Sequence, residues 1–166
     1  MRKKFILWIA LILWCSLIFF FSAQVAKDSA ELSSGLTETI LKWLYKLKNM
    51  SFPVFKSINI HNFELFFGYL ENIVRKCAHF GIYSVLGIIS LSLASCYFAL
   101  NLKSLLLSFA FCVFYASTDE FHQLFVPGRG GNITDVGIDS AGALLGILIT
   151  AFFIYIVQTR KKRKAA

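Results

Sequence analysis

Two adjacent carboxylates and an amide, Asp119-Glu120-x-x-Gln123, close a stretch otherwise built mainly of Leu, Phe, Ala, Cys and Val. His79 and Tyr83 stand four residues apart in a second apolar run, and Asp135 and Asp139 four apart at the head of a third. That spacing puts the members of each pair on one helix face. Arg75 and Lys76 come just before His79, and Arg129 sits in the loop between Gln123 and Asp135. Two kinds of chemistry are open to such a set. Arginines hold carboxylate or phosphate oxygens in a two-pronged fork, which suits Arg75, Lys76, Tyr83, Gln123, Arg129, Asp135 and Asp139 as a binding set for an anionic headgroup. Alternatively Asp119 or Glu120 serves as a general base, with His79 as acid or base and Arg129 stabilising developing negative charge. A metal site from Asp119, Glu120, His79 and His122 has suitable atoms but no standard ligand spacing, so neither a metal nor another cofactor is expected.

The elements that must position these residues are membrane helices. The chain has 166 residues, about one domain, and is 57% hydrophobic. Its mean hydropathy is +0.67, too apolar for a soluble fold of this size. The apolar residues fall in long runs rather than alternating, which argues for helices through a bilayer and against a barrel. Four spans are expected, at about 5–22, 77–100, 103–125 and 135–158. The first begins on a basic stretch like a signal peptide, but no good small-x-small cleavage site follows Phe21-Ser22-Ala23-Gln24, which favours an uncleaved helix. Asn101-Leu102-Lys103 is a short turn that makes the second and third spans antiparallel neighbours. Val126-Pro127-Gly128-Arg129-Gly130-Gly131-Asn132 is turn-rich, and Thr134 is placed to cap the fourth span. Gly142-x-x-x-Gly146 on that span permits close approach of another helix.

Between the first two spans, Leu32, Leu36, Ile40, Trp43, Leu44 and Leu47 form a helical stripe with charges offset from it. This suits a helix lying in the interface plane or packing over the bundle. Phe52-Pro53 breaks the pattern, and Phe63, Phe67, Leu70 and Val74 then lead into the second span. The architecture expected is therefore all-α: an integral membrane four-helix bundle with an extracytoplasmic amphipathic helical segment between its first two spans.

The net charge is +8, but its arrangement matters more than its size. Arg2-Lys3-Lys4, Lys103 and the basic run at 160–164 fall on one side of a four-span topology, which the positive-inside rule assigns to the cytoplasm with both termini. A basic tail beside a span reads as an anchor rather than a nucleic-acid patch. Cys15, Cys77, Cys96 and Cys112 lie in or beside apolar spans without CxxC spacing, and read as small apolar residues rather than disulfides or zinc ligands. In this topology His79, Tyr83, Asp119, Glu120, Gln123, Asp135 and Asp139 all fall within about 10 Å of one interface, the outer one, at 1.5 Å of rise per residue. A charge deep in a bilayer costs about 2.5–3.5 kcal/mol, so so large a set is more than helix packing alone ordinarily needs.

Arg75-Lys76-x-x-His79-x-x-x-Tyr83, Asp119-Glu120-x-x-Gln123-x-x-x-Pro127-Gly128-Arg129 and Asp135-x-x-x-Asp139-x-x-Gly142, in this order, resemble the VanZ-like family of small polytopic bacterial membrane proteins. Asp139 stands where that family often has Asn. The resemblance covers nearly the whole chain and implies a cell-membrane protein linked to glycopeptide (teicoplanin-type) tolerance and the envelope. It supplies no mechanism. An outward-facing site fits that association, because glycopeptides act on peptidoglycan precursors outside the membrane. Three readings remain: a binder of an anionic envelope lipid or lipid-linked precursor, an intramembrane acid/base enzyme acting on one, and a structural module that docks a membrane protein partner.

Overall fold

The computed structural model describes residues 2–23, 34–40 and 60–165, and these are helical apart from short connections. Helix α1 spans Arg2–Ser22. A short helix, α2, covers residues 34–40; the rest of the amphipathic stripe, from Trp43 to Leu47, lies outside the described residues, as does Leu32. Helix α3 runs Ile60–Ala94, α4 Leu102–Gln123 and α5 Ile133–Ala165. Thus the segment leading into the second span is not separate from it: α3 continues through without a break. Among the described residues four stretches are long and apolar enough to cross a membrane: Arg2–Ser22, Gly68–Ala94, Leu102–Gln123 and Ile133–Lys164. Phe5, Leu13, Phe20, Phe114, Phe152 and Phe153 point outward. In water that surface would be untenable, whereas in lipid it is the expected exterior of a multi-pass membrane protein.

The ends of the helices are fixed locally. Asn101 caps α4 by accepting from Ser104 N at 3.0 Å, while its own N–H donates to Ser104 Oγ at 3.1 Å, a reciprocal box that satisfies two otherwise free donors. At α5 the cap is Asn132 rather than the expected Thr134. Its Oδ1 accepts from Thr134 N at 3.0 Å, so the helix starts two residues earlier than the Asp135 start read from the sequence.

The α3–α5 interface is the most extensive in the bundle. Its two helices run parallel, as alternating spans require. Small residues let the backbones touch. A Cβ on Gly142 would collide with the Phe80 carbonyl, one on Gly146 with the Ser84 carbonyl, and one on Gly87 with the Ala143 carbonyl. Contacts of this kind replace the hydrophobic driving force that lipid removes. The other helices are fastened by polar groups donated across the bundle: Trp14 Nε1 to the Ile82 carbonyl at 2.9 Å, and Tyr115 OH to the Cys15 carbonyl at 2.6 Å. Around them Leu11, Ile18, Leu86, Leu93, Cys112 and Ala116 form the core.

Replacing Gly146 with Leu should therefore force α3 and α5 apart and lower stability by about 1–3 kcal/mol or more. Gly137→Ala, where an added Cβ meets nothing within 4 Å, should leave the melting temperature in detergent unchanged or slightly raised, because alanine favours the helix. Equal melting temperatures for the two variants would mean the helices do not approach at Gly146.

Candidate functional site

The register set by the glycine contacts decides which polar residues meet. With Gly142 against Phe80 and Gly146 against Ser84, the preceding turns bring Asp139 opposite His79 and Asp135 opposite Lys76. His79 Nδ1 lies 3.5 Å from Asp139 Oδ1, and Lys76 Nζ lies 3.5 Å from Asp135 Oδ1. Asp139 is fully buried, whereas the Lys76–Asp135 pair is about one-third exposed on each side. The inner contact is thus the dry one.

Helix α4 brings the third component. Asp119, Glu120 and Gln123 are all buried on its inward face. The chain then leaves α4 through a tight turn. Arg129 N donates to the Val126 carbonyl at 3.1 Å across Pro127-Gly128, and Gly128 has φ 76°. Proline at the first central position and a positive-φ glycine at the second make this a type II turn. Two contacts fold the turn back over the helix. Glu120 Oε2 accepts from Asn132 N at 2.9 Å, and a Cβ on Gly131 would meet the Glu120 carbonyl at 2.6 Å. Only glycine allows that approach. The result is that Arg129 is held above the buried acids.

Between these elements lies a cavity of about 210 Å³ lined by Asn72, Arg75, Lys76, His79, Glu120, Gln123, Gly128, Arg129, Gly130, Asp135, Ile138 and Asp139. Its upper part is basic. Arg75 is exposed and donates to Asn72 Oδ1 at 3.2 Å; Arg129 is half-buried. Neither arginine has a carboxylate within ion-pair distance among the described residues. Burial lowers the Arg129 pKa from its ordinary value, and the Arg75 charge lowers it further, with Asp119 and Glu120 opposing. Two guanidinium groups therefore repel each other at the mouth. The floor is acidic. Glu120 and Asp139 line it; both oxygens of Asp139, and both of Asp119 behind them, lack hydrogen-bond partners among the described residues, as does Gln123 Nε2.

Of the residues singled out from the sequence, Arg75, Lys76, His79, Glu120, Gln123, Arg129, Asp135 and Asp139 line the cavity. Tyr83 and Asp119 stand behind the wall. Tyr83 is 1% exposed and faces Asp119, and Asp119 is flanked by Ser22 of α1, though neither hydroxyl makes a bond of good geometry. Lys76 is engaged by Asp135 rather than free. His122 turns away and packs on Phe19, ring centroids 4.5 Å apart. Four lining residues were not among the candidate site residues: Asn72, Gly128, Gly130 and Ile138. Asn72 lies three residues before Arg75 on the same helix face, a spacing that could have found it.

A family model described as VanZ/LLP1 matches residues 7–155. No curated protein and no solved structure matches the chain.

The Glu120 carboxylate accepts from a backbone N–H that has no alternative partner. Glu120→Ala should cost about 1–3 kcal/mol by orphaning that donor and freeing the turn. Glu120→Gln keeps an acceptor oxygen and should retain most of the stability. Thermal unfolding of the two variants in detergent checks this; equal losses would show that the Asn132 contact does not hold the turn.

Proposed function

Because the chain belongs to the VanZ/LLP1 family, we propose that its polar cavity binds the anionic headgroup of an envelope lipid or lipid-linked cell-wall precursor. The observation that carries this reading is the pair Arg75 and Arg129: two guanidinium groups line the upper part of the cavity with no carboxylate at ion-pair distance among the described residues. A phosphate between them would satisfy both in fork geometry and relieve their repulsion. Lys76, tied to Asp135, contributes charge at the rim rather than a free grip. The apolar outer faces of α3, α4 and α5 are suited to the acyl or polyprenyl chain of such a ligand. The basic residues at the opposite end, Arg2 to Lys4, Lys103 and Arg160 to Lys164, support an extracytoplasmic mouth. Sequestering or presenting a cell-wall precursor there is the proposed route to glycopeptide (teicoplanin-type) tolerance.

A second reading has one observation in its favour. His79 lies at the cavity wall with Asp139 behind it, an arrangement that orients an imidazole for proton transfer. Turnover of a lipid phosphate that vanishes in His79→Ala would favour catalysis over binding.

The test uses the purified chain in nanodiscs and a polyprenyl phosphate as probe, read by native mass spectrometry. Arg129→Ala and Arg75→Ala should each weaken binding about tenfold, equivalent to about 1.4 kcal/mol, and added salt should weaken the wild type. Binding that is indifferent to both substitutions would overturn the proposal.

A further inference from the structure

Asp119, Glu120 and Asp139 each offer a carboxylate oxygen, and these oxygens lie within 4.8 Å of one another. All three side chains are buried, at 4%, 5% and 0% exposure. Three carboxylates at this separation repel strongly in a low-dielectric setting unless a positive charge or protons lie among them. The fixed cations of the site serve other places: Lys76 is paired with Asp135, and Arg75 and Arg129 stand at the mouth. His79 reaches Asp139 alone among the three at ion-pair distance.

A cluster of acids does not by itself make a site, but two other features point to an occupant. Neither oxygen of Asp119 has a hydrogen-bond partner among the described residues, and Asp139 has only the 3.5 Å contact of its Oδ1 with His79, leaving Oδ2 bare, although both side chains are more than nine-tenths buried. The Tyr83 hydroxyl, from a different helix, is 1% exposed, faces Asp119 and is also unpartnered. Buried polar atoms are normally satisfied by protein, water or an ion. Here carboxylate oxygens from α4 and α5 converge, with the Tyr83 hydroxyl of α3 next to one of them, Asp119.

We propose that Asp119, Glu120 and Asp139 bind one hard divalent cation at the floor of the cavity, with Tyr83 beside it. The donors are all oxygen. Among the described residues no cysteine and no histidine belongs to the cluster, and His79 contacts Asp139 from its edge. Oxygen-only sites of this kind select magnesium, calcium or manganese over zinc. The spacing agrees, because two oxygens on opposite sides of such an ion stand about 4–5 Å apart at metal–oxygen distances of about 2.0–2.6 Å. Glu120 can serve with one oxygen while the other holds Asn132 N. This arrangement also explains why helices α4 and α5 bring three acids together in the bundle: the ion cross-links them. The site stands whether or not a lipid occupies the cavity above it.

The experiment titrates the full chain, purified in detergent and stripped with chelator, with manganese, read by electron paramagnetic resonance. One saturable manganese per chain is expected, displaced by magnesium or calcium, and manganese should raise the melting temperature of the stripped wild type. Asp119→Asn and Glu120→Gln, which keep side-chain volume, should each weaken manganese binding tenfold or more. Asp139→Asn, which likewise keeps one amide oxygen and loses the charge, should weaken it to a similar degree. Folded wild-type protein that shows neither saturable manganese binding nor a thermal shift would overturn the proposal and leave protons as the charge balance of the three acids. Binding unaffected by Asp119→Asn and Glu120→Gln would overturn it equally, by placing the ion elsewhere.

Discussion

The close approach of α3 and α5 governs the rest of this molecule. In lipid, apolar side chains gain nothing by leaving the solvent for one another, so helices associate through packing and polar contact. Gly142 and Gly146 meet the carbonyls of Phe80 and Ser84, and Gly87 meets that of Ala143. Backbone against backbone leaves little freedom to slide. Because the helices run parallel, fixing them at this depth also fixes what lies one and two turns above. There His79 reaches Asp139 and Lys76 reaches Asp135. A slip of a single turn would separate every one of these pairs and strand buried charge, which is costly to leave uncompensated.

On that frame the polar groups are sorted by height. Buried acids lie at and behind the floor, and arginines with no carboxylate at ion-pair distance among the described residues are at the mouth. A cluster built purely to lock helices would pair these opposite charges directly. Here the type II turn at Pro127-Gly128 and the Glu120–Asn132 contact hold Arg129 above the acids. The separation leaves a space with a basic upper part and an acidic base. Such a space suits a ligand that carries negative charge outward and a cation inward, and neither alone balances the whole.

Much of this was legible in the sequence. Long apolar runs give the spans, because only helices satisfy their own backbone in lipid. Four-residue spacings gave the shared faces of His79 with Tyr83 and of Asp135 with Asp139, and the small-residue pair gave the α5 contact surface. What was not legible depends on distance in the fold rather than on spacing. The Glu120 bond to the Asn132 backbone joins residues on either side of a loop, and no side-chain pattern marks a backbone donor. Tyr83 shares a face with His79 but sits one turn deeper, so it lies behind the cavity rather than in it. Spacing alone could not bring the three acids together, because they come from two helices, two of them adjacent in sequence and one 19 positions away from its neighbour in space. The uninterrupted course of α3 from Ile60 was obscured by the polar residues before Cys77, which its length carries beyond the apolar zone.

The central claim is that α3 and α5 meet in the register that builds the cavity. Cross-linking reads this directly. In a background with the four cysteines replaced, Lys76→Cys and Asp135→Cys would be treated in native membranes with a short bifunctional thiol reagent. The account predicts rapid, near-complete intramolecular cross-linking of this pair and none between Lys76→Cys and Tyr155→Cys, which lies toward the far end of α5. Failure of the first pair to cross-link, or equal reaction of both, would contradict it.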